Sequence, residues 1–121
     1  MTRRRRSERP RVEVREHSAG RDLIVDGTYA SFLRPDAPTT GSVWDAIAAP
    51  WLGLPPARRR SALILGLGGG SIARILRTLS PDARIVGVEF DPEVVEVARS
   101  AFGLDDLGVE IVVDDALAVL Q

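Results

Sequence analysis

The residues best suited to chemistry are the run Gly66-Leu67-Gly68-Gly69-Gly70, the carboxylate of Glu89 and the pair Asp114-Asp115. A glycine run lets the backbone turn tightly and come close to a ligand. A helix following it adds free N–H groups and a positive dipole end, which suit a carboxylate or phosphate. A carboxylate in the position of Glu89 can accept both hydroxyls of a ribose, and Asp114, Asp115 or a neighbouring amide can meet an adenine edge. Each feature also has an ordinary structural use. Glycines let a helix pack close to a strand, Glu89 can be a solvated strand end, and Asp91, Asp114 and Asp115 can cap helices. What points to a nucleoside or nucleotide is their joint placement at three consecutive strand ends, in order, on one edge. NAD is less favoured, because the dinucleotide fingerprint asks for a third glycine where this chain has Ser71.

Those strand ends follow from the pattern over residues 62–113. Ala62-Leu63-Ile64-Leu65 is a continuous apolar run cut off by glycines, which predicts a strand buried on both faces. Ser71 to Leu79 carries Ile72, Ile75, Leu76 and Leu79 at helical spacing, and Ser80-Pro81-Asp82 ends that helix. Ile85, Val86 and Val88 form a second strand. Asp91 is a good N-cap and Pro92 a good first residue for a helix carrying Val94, Val95, Val97 and Ala98, with Gly103 after its end. Val109 to Val113 reads as a third strand, and Ala116 opens another helical segment. With right-handed crossovers this β-α-β-α-β order is an α/β, Rossmann-like half sheet.

Upstream, Val12 and Val14, then Leu23 to Val25, then Thr28 to Leu33 read as three short strands, the last two joined by an Asp26-Gly27 turn. The expected organisation is therefore a disordered Arg-rich tail (1–10), an antiparallel β-meander (11–34), a linker with a short helix around Trp44 (35–60), and the Rossmann-like segment (61–121). Arg58 to Arg60 are expected to guard the start of the first buried strand.

Composition narrows the choice of function. With 121 residues, 45% hydrophobic and 27% charged, the chain is one globular domain's worth. No apolar run approaches a membrane span. There is no cysteine and only one histidine, His17, so disulfides, thiolate sites and multi-histidine metal centres are excluded and no metal is expected. All 16 basic residues are arginine, which reads as codon bias of a GC-rich genome. Residues 1–60 hold 12 arginines against 7 acids and residues 61–121 hold 4 against 10, which makes +5 and −6 and accounts for the net −1. Much of that asymmetry is Arg3 to Arg6. A solvated tail is its main reading and nucleic-acid binding the lesser one. No apolar segment follows those arginines as a secretory signal requires, so the expected compartment is the cytoplasm.

The stretch ALILGLGGGSIARILRTLSPDARIVGVEFDPEVVEVARSAFGL, continuing to VEIVVDDALAVL, resembles the spermidine synthase-like branch of the class I S-adenosylmethionine-dependent transferases. The resemblance covers roughly residues 12–121, and the meander is similar to the family's N-terminal one. It implies S-adenosylmethionine, or its decarboxylated form, as cofactor. It implies that Gly66, Leu67, Gly68 and Gly70 hold the cofactor's amino-acid part and that Glu89 binds the ribose. Phe90 would pack on the adenine, and Asp114, Asp115 and Ala116 would lie near its amino group. Asp114 stands where a glycine is usual.

Two departures limit what carries over. Aminopropyltransferases resemble GGGDGG at the loop, with an aspartate that helps form the substrate site, and this chain has Gly69 there. The form GLGGGS is similar to a methyltransferase-like branch. The family's catalytic aspartate follows a fourth sheet strand, and the sequence stops after the third, so no catalytic residue is assigned. Tyr29, Trp44, Asp114 and Asp115 are the nearest polar or aromatic candidates beside an acceptor. The resemblance further implies that the strand over 62–65 would be central in a whole sheet. Left as an edge, its apolar face calls for a homodimer or for a second chain completing the sheet. The alternative function is a non-catalytic module that binds an adenosyl ligand, or only protein.

Overall fold

A computed structural model describes residues 11–121; the Arg-rich tail over residues 1–10 lies outside the described residues. Three antiparallel strands come first, β1 (Val12–His17), β2 (Gly20–Val25) and β3 (Thr28–Leu33), paired in that order. Asp26 and Gly27 join β2 to β3, both at positive φ, as a two-residue hairpin loop demands if it is to match the strand twist. A proline- and glycine-rich loop leads to the short helix α1 (Val43–Ala48). The Asp45 carboxylate gathers the Thr40 N–H, the Thr40 hydroxyl and the Gly41 N–H at 2.7–2.8 Å and so fixes that loop to the helix. Pro50 then turns the chain into a 3₁₀ segment, Ala49–Gly53. Arg59 donates to the Leu52 and Leu54 carbonyls and Arg60 to that of Ala57, so these two arginines tie the connector to itself just ahead of the next strand.

The second sheet is parallel: β4 (Ser61–Leu65), β5 (Arg84–Glu89) and β6 (Val109–Val113), in the order β4-β5-β6. Helices α2 (Ser71–Leu79) and α3 (Pro92–Ala101) form the crossovers, and α4 (Ala116–Val119) follows β6. The α/β half sheet and the preceding antiparallel sheet are those expected. Helices α2 and α3 lie on one face. Ile64 and Ile85 from the sheet, Ile75 and Leu76 from α2, and Ala98 from α3 share one buried cluster. The other side of α3 meets the antiparallel sheet, where Val94 and Phe102 pack on Leu23. Thus α3 lies between the two sheets and fixes them relative to each other.

One expectation is corrected. Strand β4 is not buried on both faces. Ala62 and Ile64 face the helices, whereas Leu63 and Leu65, on the opposite side of the pleat, are 50% and 43% exposed. The opening is confined to the edge strand: Val88, which pairs with Leu65 and so lies on the same face of the middle strand, is 1% exposed.

Candidate functional site

The C-terminal ends of β4, β5 and β6 stand side by side because the parallel register pairs Leu65 with Val88 and Glu89 with Val113. The glycine loop, Glu89 and Asp114 therefore share one rim, as in other open α/β sheets. Gly66 begins the loop at φ +83, a conformation that favours glycine, and nothing lies within 4 Å of where its Cβ would be. It is the exposed member of the run. Gly68, Gly69 and Gly70 are buried, pressed against β3 and the segment around Leu104. Leu67 turns its side chain into the core over Gly87, so only its backbone lies at the rim.

Glu89 is half-buried and held at both oxygens. Its Oε1 accepts the Gly68 N–H at 2.9 Å and its Oε2 accepts the Asp91 N–H at 3.1 Å. Each carboxylate oxygen has a second lone pair, so the pair can still accept two hydroxyls. Phe90 next to it is 74% exposed and presents a bare ring at the rim. Asp114 bonds its neighbour's amide, Asp115 N–H to Oδ1 at 2.7 Å. Asp115 caps α4 by accepting the Leu117 N–H at 2.8 Å, with Ala116 as the first helical residue. Asp91 likewise caps α3 and is not turned to the rim as a ligand.

The loop amides are taken up within the fold. Gly66 and Leu67 donate to the Val88 carbonyl, Gly68 to Glu89, Gly69 to the Ser31 hydroxyl and Gly70 to the Leu67 carbonyl. The loop therefore does not offer its own N–H groups to an anion, because the fold already uses them. Tyr29 and Trp44 come together in a groove of about 340 Å3 that also includes Asp22. Two residues that the sequence did not single out hold the loop: Ser31 on β3 and Ser71 at the start of α2. The Ser71 Oγ accepts the Phe32 N–H and donates to the Phe32 carbonyl. No spacing rule marks Ser31, and Ser71 stood out only as a missing glycine. Among the described residues no group of three or more His, Asp or Glu is placed to hold a metal, and no helix is long and apolar enough to cross a membrane.

Comparison with known proteins agrees with this geometry. No protein-family model matches the chain. In sequence it is 39% identical over 64 residues to an eEF1A lysine and N-terminal methyltransferase homolog of Drosophila pseudoobscura pseudoobscura, which is 52% of this chain and 10% of that protein. It is 43% identical over 68 residues to a polyamine aminopropyltransferase of Mycobacterium tuberculosis, covering 51% of this chain and 13% of that one. In structure it matches a probable spermidine synthase from Corynebacterium glutamicum with a TM-score of 0.65 at 23% identity, over 89% of this chain and 42% of that chain. A spermidine synthase from Thermotoga maritima gives 0.60 at 21% identity, over 91% and 42%. The chain thus spans less than half of the solved proteins whose fold it shares, and about a tenth of the curated relatives. It is similar in sequence, over about half of its length, to a methyltransferase homolog and a polyamine aminopropyltransferase, and it shares the fold of spermidine synthases over about nine-tenths.

Proposed function

We propose that the rim binds the adenosyl part of S-adenosylmethionine or its decarboxylated form, as a transferase of methyltransferase or aminopropyltransferase type. The observation that carries this reading is Glu89: a carboxylate fixed by Gly68 and Asp91, beside the open Gly66, with a lone pair left on each oxygen. Glu89 would take the ribose hydroxyls and Phe90 would pack on the adenine. Asp114, Asp115 and Ala116 would border the adenine amino group, and the backbone of Gly66, Leu67, Gly68 and Gly70 would form the wall. The relatives' names, a methyltransferase and an aminopropyltransferase, support the transferase class. The cofactor's sulfonium would supply an activated carbon, and the protein's part would be to position an acceptor beside it. No residue described here is assigned as the catalytic base.

Titration calorimetry tests the binding. S-Adenosylmethionine, its decarboxylated form and methylthioadenosine are expected to bind, and Glu89→Ala to abolish the heat. Glu89→Gln is expected to weaken binding roughly 10–100-fold, since a charged acceptor becomes a neutral one with a donor facing the diol. The loop amides are already used, so methylthioadenosine, which lacks the charged tail, is expected to bind within about tenfold of S-adenosylmethionine, less than one charged hydrogen bond is worth. Unchanged binding in Glu89→Ala would sink the ribose assignment. A second reading, a non-catalytic adenosyl-binding or protein-interaction module that dimerises through its sheet, is favoured by the exposed Leu63 and Leu65.

A further inference from the structure

We infer that Ser31, on the antiparallel sheet, is the positioning residue of the glycine loop, and that it forms with Gly69 a matched pair that excludes any side chain at position 69. The inference rests on the adenosyl-binding reading for its functional consequence, and on geometry alone for its structural part. Ser31 is 1% exposed, and its Oγ accepts the Gly69 N–H at 2.7 Å in a buried bond. The approach is close enough to forbid a Cβ. One built on Gly69 would lie 2.8 Å from the Ser31 Cβ, 3.0 Å from its Oγ and 3.3 Å from the Phe102 ring. The Ser31 Cβ is attached directly to the backbone of a paired strand and cannot swing aside. Position 69 is therefore glycine for packing. The ladder is fixed next door as well, because the Ser71 hydroxyl both accepts from and donates to the Phe32 backbone at 3.0 and 3.1 Å.

The consequence reaches the rim through two adjacent peptides. Ser31 holds the Gly69 amide, and the Gly68 amide before it holds the Glu89 carboxylate. Removing the Ser31 hydroxyl frees the first, and the second loses its fixed orientation. The pair also restricts chemistry. A carboxylate cannot be placed at position 69 while Ser31 occupies that space, so an amine acceptor would have to be recognised without one.

Amide hydrogen exchange and calorimetry on the whole chain test this together. In Ser31→Ala the Gly69 amide is expected to exchange at least tenfold faster while the amides of β4 and β5 keep their protection, and methylthioadenosine is expected to bind about tenfold more weakly. Gly69→Asp is expected to melt well below wild type, and adding Ser31→Gly to recover part of that loss, a non-additive pair. Unchanged Gly69 exchange in Ser31→Ala, or wild-type melting of Gly69→Asp, would overturn the pairing. Faster exchange with unaltered affinity would overturn the positioning role. Failure of wild type to bind any adenosyl compound would instead remove the functional reading and leave the exchange result standing.

Discussion

Among the described residues Arg77 is a cation with no carboxylate partner, and it still has a full set of acceptors. From the last turn of α2 its guanidinium donates to the carbonyls of Leu107, Pro81 and Ala83 at 2.6–2.8 Å and makes longer contacts to Ser80 and Gly108. It thereby joins the end of α2, the entry to β5 and the turn before β6. A planar fork can serve carbonyls in several directions at once, whereas an ammonium on a flexible stem cannot. Arg77→Lys is expected to cost about 2 kcal/mol in urea denaturation, the usual cost of leaving such acceptors unserved. Glu96→Gln on the exposed side of α3 is expected to change stability by less than about 0.5 kcal/mol. At this scale the sequence was readable where residue type alone sets the local geometry, as in the tight turn at Gly66 with its positive φ. It was silent where the role depends on what comes close in space. Ser31 is an unremarked serine in a strand until β3 is laid against the loop, and Gly69 stands out only as a missing aspartate until the same contact shows that it is a packing glycine.

Helix α3 illustrates the next scale, where local signals fix an element and distant ones anchor it. Asp91 and Pro92 announce the start of the helix, and Asp91 accepts the Glu93 N–H at 3.0 Å as its cap. The anchor comes from Arg11, just ahead of β1, which bonds both Asp91 and Glu93 and so ties the helix N-terminus to the antiparallel sheet. The Arg11 guanidinium, first through its hydrogen bonds, holds the Asp91 carboxyl below the usual carboxylate range against the opposing effect of burial. A carboxyl lowered in the folded state stabilises it above the unfolded pKa and loses that contribution as pH falls through the folded value. Arg11→Met is therefore expected to lower the melting temperature at pH 7. The gap to wild type is expected to start closing as pH drops below about 4, where unfolded Asp protonates, and to vanish only below the lower folded value. A gap of constant size across that range would assign the effect to packing. The elements themselves were legible from periodicity, including α2 and the three parallel strands. The error lay in β4, because a continuous apolar run reports what a strand is fit to bury, not which neighbours are there to bury it.

The whole molecule is asymmetric in how it covers its parallel sheet. Ile64 and Ile85 lie under α2 and α3, while the register Leu65–Val88–Val112 puts Leu65 and Val112 on the opposite face, beside Leu63. Leu63, Leu65 and Val112 are at least 37% exposed, while Val88 between the last two is buried. The free edge of β4 continues into an apolar groove of about 530 Å3 bordered by Ile47, Trp51, Leu54 and Ile72. Natural edge strands are blunted by charge, by proline or by a covering element, and β4 has none along its length. A doubly wound sheet buries both faces, so the exposed one asks for a further surface. The 121-residue polypeptide is accordingly expected to associate. Size-exclusion chromatography with light scattering at micromolar concentration should give a mass above the 13.1 kDa of one chain. Leu63→Lys with Leu65→Lys should return it to that mass while the chain stays folded, losing only the stability that association adds, because both side chains are at least 43% exposed in the monomer. A stable wild-type monomer under those conditions would mean that the face tolerates water.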